Sequence, residues 1–500
     1  MQDLNEAPLF QALVEKVNKE EARFYVPGHK GGYVFPGHGR KMYHPVLKLD
    51  LTELDGLDNL HDPQGVIRQA QELAARQFGA DQTYFLVNGS TVGNLAMILG
   101  CLHQGDVALV QRNSHQSVFH GLSMAGACCF PLLPEVCPRF RVAQGIRPEQ
   151  IEAALRRCPE AKAVILTYPT YYGWAGADQF EAVVRTAREY GLLVLVDEAH
   201  GAHFGQYGSL PPSALQLGAD LCVQSTHKML GSMTMTSMLH IRRGRVPVED
   251  VEDCLRRLQT SSPSYPLLAS LDLARLFLSQ MTRTDWEQAL AAVQELHSGI
   301  RALGNYLISS GTGREQDPFK LVIQPVFGLS GFQLQEALRQ HGIEVELADP
   351  YNVCLTLPLV PHPDWNNRLL QALSSIAKEA GHLQREKGRP GKTPLGHQPG
   401  EKGAGADMAE LFNQAEPAPI PMRVYRAQEK EHVPLSQAVG RQAAEMITPY
   451  PPGIPLLIPG EVIKEEHVSH ILRLNQAGAY FPGKQGREWP SVAVVKKNEK

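Results

Sequence analysis

Two stretches decide the fold: LLVLVDEAH (Leu192–His200) and ADLCVQSTHK (Ala219–Lys228). The first begins with five apolar residues, the second holds the shorter run Leu221–Val223, and each closes on polar side chains. Runs this short, bounded by polar ends, read as strands covered on both faces, the habit of parallel sheets. One ends in an acid, Asp197; beyond the other stands a lysine, Lys228, between a histidine and a methionine.

The flanking sequence repeats the alternation. QTYFLV (82–87), DVALVQR (106–112), ACCFPLL (127–133) and AKAVILTYP (161–169) read as strands. Between them GSTVGNLAMILGCL (89–102), SVFHGLSMAGA (117–127), RPEQIEAALRRC (147–158) and DQFEAVVRTAREYG (178–191) carry helical periodicity, as does IRQAQELAARQFGA (67–80) before the first strand. Strands alternating with amphipathic helices predict a doubly wound α/β domain with a mostly parallel sheet.

Around that core we expect five regions. Residues 1–62, rich in Gly, Pro and His (RFYVPGHKGGYVFPGHGR, LDLTELDGLDNLHDP), read as an arm with little regular structure. Residues 63–310 form the large α/β domain, including a long helical stretch from about Leu267 to Ile308. FKLVIQPV, SGFQLQEALRQHGI and VCLTLPLV place a small α+β domain at 311–382. Residues 383–407, full of Gly, Pro and charge, read as a flexible linker. A C-terminal α+β domain follows at 408–500, with order resuming near Ile420; the prolines of ITPYPPGIPLLIPGEVI (447–463) exclude an ordinary helix there.

Composition narrows the function. Of 500 residues, 43% are hydrophobic and 20% charged, with a formal net charge of -4. This gives no reason to expect a nucleic-acid or membrane partner. The N-terminus is acidic and amphipathic, unlike a signal peptide, and no apolar window is long enough to span a bilayer. None of the eight cysteines forms a C-x-x-C pair, so no metal is expected and buried thiols in a reducing cytoplasm are the plain reading.

In open α/β sheets, ligands sit at the carboxyl ends of the strands. Asp197 and Lys228 both fall at such ends. A lysine that bonds an aldehyde and an aspartate that keeps a pyridine nitrogen protonated are the two handles of a pyridoxal phosphate (PLP) site. Asp197 alone also reads as a loop cap or a metal ligand. Gly89, Ser90 and Thr91 make a turn at a helix start, where backbone amides and hydroxyls suit a phosphate; simple N-capping is the other reading. Ser225 and His227 are further phosphate donors. His115 follows a strand and either stacks on the cofactor ring or is a polar loop residue.

STHKML, DEAHGAHFG, NGSTVGN, RNSHQSV and VPGHKGG, with TSSPSYPLLASLD (260–272) and YPPGIPLLIPGE (450–461), resemble the fold-type-I PLP-dependent ornithine/lysine/arginine decarboxylases. The resemblance covers nearly the whole chain except the linker. It implies the aspartate-aminotransferase-like fold of the PLP-dependent transferases. Lys228 would be the Schiff-base lysine, Asp197 the partner of the pyridine nitrogen and His115 the stacking residue. Gly89, Ser90, Thr91, Ser225 and His227 would hold the phosphate. Ala199 would pack under the ring with His200 beside it. Ser262 and Ser264 would approach the phosphate, and Thr170 and Tyr171 would line the pocket. Lys228 or His227 would return a proton to Cα. A basic substrate needs an acid at the far end of its pocket: Glu461 is favoured by the resemblance, Glu53 and Asp55 are alternatives, and a surface or capping role is the other reading of Glu461.

The chain departs from the family in two ways. Gln116 follows His115 where the family commonly has a lysine. The VPGHKGG arm, which could cover a neighbouring subunit's site, is reached by residue 27, so the chain looks like the short form without an N-terminal receiver-like domain. The expectation is a cytoplasmic decarboxylase of arginine, lysine or ornithine, arginine slightly favoured, feeding polyamine or diamine synthesis. It would act as a homodimer or higher homo-oligomer with the site at the subunit interface. A PLP-dependent aminotransferase or lyase, and an inactive scaffold of the same fold, are the competing readings. The first would usually carry a small-domain arginine for the substrate's α-carboxylate, and none is evident.

Overall fold

The computed structural model describes residues 4–19, 21–309, 313–386, 417–484 and 489–496. Seven strands lie between Gln82 and Ile241: β1 (Gln82–Leu86), β2 (Val107–Gln111), β3 (Cys128–Leu132), β4 (Ala163–Thr167), β5 (Leu193–Asp197), β6 (Leu221–Gln224) and β7 (Ser237–Ile241). The chain divides into two compact units. One comprises Met1–Leu102, Leu193–Gly208 and Pro212–Thr282; the other comprises His103–Leu192, Ser209–Pro211 and Arg283–Lys500.

In the first unit the strand order is β1-β7-β6-β5. β5 and β6 are parallel, while β7 runs against both β6 and β1. β1 therefore points the same way as β5 and β6. Helix Gly89–Cys101 packs on one face, close enough that a Cβ at Gly93 would collide with Val223 and Leu86. β7 was not anticipated. The sequence reading also carried a strand through to Lys228, but β6 ends at Gln224 and a short turn of helix, Thr226–Met229, holds the lysine.

The expected arm is more regular than its composition suggests. Helix Pro8–Asn18 buries Leu9 and Leu13, and helix Gly37–Leu49 follows. The first is tied down by a buried ion pair: Asp272 accepts from the amides of Leu9 and Phe10, and Arg275 pairs with Asp272 at 2.9 Å while donating to the carbonyls of Leu4 and Glu6. The amides at a helix start have no partner within the helix, so a buried carboxylate there satisfies two of them.

In the second unit β4, β2 and β3 are parallel neighbours. Within it, β8 (Tyr306–Ile308), β9 (Lys320–Pro325), β10 (Leu347–Ala348) and β11 (Val353–Thr356) form an antiparallel sheet in the order β10-β11-β9-β8. Helices Arg283–Leu303, Gly331–Gln340 and Trp365–Glu386 contribute to its core, which includes Ile300, Leu321, Leu334 and Leu373. The last helix overruns the start of the expected linker, ending at Glu386; the rest of the linker lies outside the described residues.

A further strand, β12 (Ile420–Pro421), adds antiparallel to β3 at Cys129 and Cys128, clear of Pro131. β13 (Lys430–Pro434) and β14 (Ser491–Val495) then pair over a separate core of Leu435, Ile447, Leu457, Ile471 and Val494. The segment 447–463 is not helical.

Candidate active site

The first unit gathers most of the expected residues. Asp197, at the tip of β5, is 3% exposed. Its Oδ2 accepts from Asn94 Nδ2 at 2.8 Å and its Oδ1 from the Ala199 amide at 3.1 Å. Asn94 lies on helix Gly89–Cys101, so that helix both faces the strand tips and orients the acid; sequence reading missed it. On the neighbouring strand, Lys228 follows β6 by four residues, and its Nζ lies 3.1 Å from His200 Nε2. His200 is buried, three residues beyond Asp197. The DEAH and STHK motifs are thus joined by an amine–imidazole contact.

The residues expected to hold a phosphate lie around one helix start, with one difference from expectation. The Gly89 amide donates to the Met235 carbonyl at 2.7 Å, so Gly89 shapes the turn but gives its N–H to the chain. The amides of Ser90 and Thr91 stand at a helix start that has no side-chain cap. Ser225 Oγ donates to Ser90 Oγ at 2.8 Å, bringing the two hydroxyls together from different elements. His227 Nδ1 lies 2.7 Å from the Thr236 carbonyl and so carries its proton there, leaving Nε2 with the lone pair in the neutral ring. Thr260 donates its amide to Asn88 Oδ1, which ties the loop bearing Ser262 and Ser264 to the residue before Gly89. Ser264 precedes helix Tyr265–Gln280 without capping it, and Ser262 is exposed. Ala199 is buried and lends Asp197 its amide.

The second unit holds the other four. His115 is the N-cap of helix Gln116–Ala125: its Nδ1 accepts from the Ser117 amide and lies 2.8 Å from Ser117 Oγ, which puts the neutral ring's proton on Nε2. The YPPG loop backs it. Gln116 donates its amide to the Gly453 carbonyl, and a Cβ at Gly453 would meet the imidazole at 3.0 Å. Thr170 is buried in a turn, its Oγ1 accepting from the Trp174 amide. Tyr171 packs on the cluster of Phe140, Val142, Val322 and Cys354.

Glu461 departs from expectation. It is 4% exposed, and its Oε2 accepts from Arg112 Nη2 at 2.9 Å and from the Ile458 amide at 3.1 Å. Arg112, 2% exposed, also donates to the carbonyls of Pro455 and Leu456. The carboxylate expected for a substrate's basic end is engaged by the chain itself. Arg112 went unnoticed in RNSHQSV, because its partner is 349 residues away. Glu53 and Asp55 are exposed, Glu53 accepting from its neighbour Thr52.

A lysine amine, a buried and oriented aspartate, two converging hydroxyls and an uncapped helix start are the donor set that PLP requires: one covalent handle, one acceptor for a protonated ring nitrogen, and donors for a dianion. The residues of the first unit fit that cofactor. Among the described residues, no helix is long and apolar enough to cross a membrane.

The Orn/Lys/Arg decarboxylase major domain matches residues 7–310, and the Orn/Lys/Arg decarboxylase C-terminal domain matches residues 408–487. The chain is 39% identical to the protein YaaO of Bacillus subtilis (strain 168), across 99% of both chains. It is 34% identical to an arginine decarboxylase of the same organism, again across 99% of both. In structure it is similar to the lysine decarboxylase LdcF of Francisella novicida, with a TM-score of 0.80 at 20% identity, covering 98% of this chain and 82% of that one; at that identity the likeness shows the fold. The strand-tip lysine and aspartate therefore sit in a chain that belongs to the Orn/Lys/Arg decarboxylase family, a carboxy-lyase of PLP fold type I whose cofactor is pyridoxal phosphate.

Proposed function

We propose that this carboxy-lyase acts on arginine, releasing CO₂ and agmatine. The observation that carries the choice of substrate is the spread of identities: 33–34% to arginine decarboxylases over nearly the full length, against 24–26% to lysine decarboxylases. The geometry supports the chemistry. Bound PLP supplies an electron sink that lets Cα part with its carboxylate as CO₂. Lys228 would hold the cofactor's aldehyde carbon, Asp197 its ring nitrogen, and Ser90, Thr91, Ser225 and His227 its phosphate. Ser262 and Ser264 would approach that phosphate, and His115 would stack on the ring.

His200 Nε2 is placed to take a proton from the Lys228 ammonium, leaving the amine free to attack, and to return it afterwards. Thr170 and Tyr171 remain candidates for the pocket wall. For the guanidinium, Glu53 and Asp55 are exposed acids, whereas Glu461, the acid favoured by the resemblance, is engaged by Arg112. We take the enzyme to act in the cytoplasm, as a homodimer or larger homo-oligomer.

The test is CO₂ release by purified protein supplemented with PLP, offered arginine, lysine and ornithine separately, with each amine identified. Agmatine from arginine alone is expected. Cadaverine or putrescine as the main product would reassign the substrate.

A further inference from the structure

Four polar side chains are buried in a row beneath the candidate site. Glu198, directly after β5, is 0% exposed; Gln224 ends β6 at 1%; His240 lies in β7 at 0%; Thr83 lies in β1 at 5%. They are bonded end to end. Thr83 Oγ1 lies 2.8 Å from His240 Nδ1, His240 Nε2 lies 3.1 Å from Gln224 Oε1, and Gln224 Nε2 donates to Glu198 Oε2 at 2.8 Å. The other carboxyl oxygen, Oε1, accepts from the Ala214 amide at 2.7 Å.

Register explains how four strands make one ladder. Thr83 and His240 are directly paired, and Gln224, paired with Met238, reaches His240 diagonally. The donors all point one way, toward Glu198. Side chains alternate across a strand, so drawing Glu198 to one face turns Asp197 to the other, where Asn94 holds it. Gln224 is likewise the residue before Ser225 and four before Lys228. A slip of one residue at either strand end would turn both handles away. An apolar layer would fill this space without such a constraint, and buried polar pairings that fix register are a known use of otherwise costly groups.

We propose that Glu198 is a positioning residue: through Gln224, His240 and Thr83 it sets the register of the two strand ends that present Asp197 and Ser225–Lys228 to the cofactor. The inference rests on the reading of Lys228 and Asp197 as the PLP handles. Its measure is PLP affinity and the visible circular dichroism of bound PLP, read on protein stripped of cofactor and titrated back.

Glu198→Ala should weaken PLP binding roughly tenfold, the scale of coupling between contacting residues, and alter the dichroic band. Gln224→Leu should do the same, and the double variant should be no worse than either single. Glu198→Gln should recover affinity, because every rung can reverse: the Gln224 amide flips, His240 changes tautomer and the Thr83 hydroxyl becomes an acceptor. Should Glu198→Ala fail to fold, Thr83→Val, nearly isosteric at the far end, reads the same ladder and should shift affinity in the same direction. Wild-type affinity and an unchanged band in Gln224→Leu and Thr83→Val would overturn the inference. The underlying reading is tested separately: if Lys228→Ala still fixes PLP on borohydride reduction, that reading is wrong. If Lys228→Ala no longer fixes it while the ladder variants bind normally, the ladder alone is refuted.

Discussion

Lys228 Nζ and His200 Nε2 stand 3.1 Å apart, bonded across the gap between two motifs that lie 28 residues apart in sequence. One lone pair and one proton are needed for that bond, so the imidazole is the natural resting place for the proton that Lys228 must lose. Replacing His200 with alanine should lower CO₂ release on the order of 100-fold, within the range for a positioned acid–base group. The acid limb of the pH–rate profile should move upward, since Lys228 would then have only solvent to take its proton. A profile shaped like the wild type's would remove His200 from proton handling.

Arg112 and Glu461 should behave as a structural pair. Breaking a buried ion pair from one side leaves a charge uncompensated and costs about 3–5 kcal/mol. Urea unfolding of Arg112→Leu or Glu461→Leu should show that loss, and the double variant should recover much of it. If Glu461→Gln instead keeps full stability and raises only the KM for arginine, Glu461 contacts substrate after all.

Glu198 offers a pH test of its own. Burial pushes its carboxyl up to about 8, against the hydrogen bonds from Gln224, Ala214 and Cys222 that pull it down. A raised acid binds its proton more tightly folded than unfolded. Its stabilisation is therefore complete below about 4.5, the unfolded value, and is lost as pH rises through about 8. Each pH unit across that window costs the wild type up to about 1.4 kcal/mol. Glu198→Gln cannot ionise, so its melting temperature relative to wild type should climb between pH 5 and 8. Cys222 also faces Glu198, but its thiol is held well above the usual range, and His240 is kept neutral by burial, at about 3. A temperature difference that is flat with pH would mean that Glu198 titrates normally.

The N-terminal helix should depend on Arg275. Arg275→Leu strands Asp272, a group whose carboxyl burial already raises, and frees the carbonyls of Leu4 and Glu6. Hydrogen exchange should then quicken over residues 4–18 and leave β5 and β6 protected. Unchanged exchange in that helix would show that Leu9 and Leu13 suffice to hold it.

Much of this was legible because strand ends announce themselves. LLVLVD closes on Asp197, and the helix start at Gly89–Thr91 carries its own turn chemistry, so the candidate handles and cradle could be named from sequence. What stayed hidden depends on pairings between distant segments. SMLHI did not read as a strand because His240 interrupts it, and His240 is there as a rung between Gln224 and Thr83. Glu461 looked like an acid waiting for a substrate because Arg112 is remote in sequence. The glycines, prolines and histidines of residues 23–62 masked the regularity of the arm, although Leu9 and Leu13 already carry the one-turn spacing of a packed helix.

Gly93 sets a height. With no side chain at position 93, helix Gly89–Cys101 closes onto Val223 of β6 and Leu86 of β1, and its amide end is seated at a fixed level above the sheet. A methyl there would act as a shim, lifting the anion seat while leaving Lys228 where it stands. A molecule anchored at both ends has a set length, so the distance from seat to lysine works as a gauge. This chain holds that gauge to size with an atom it leaves out.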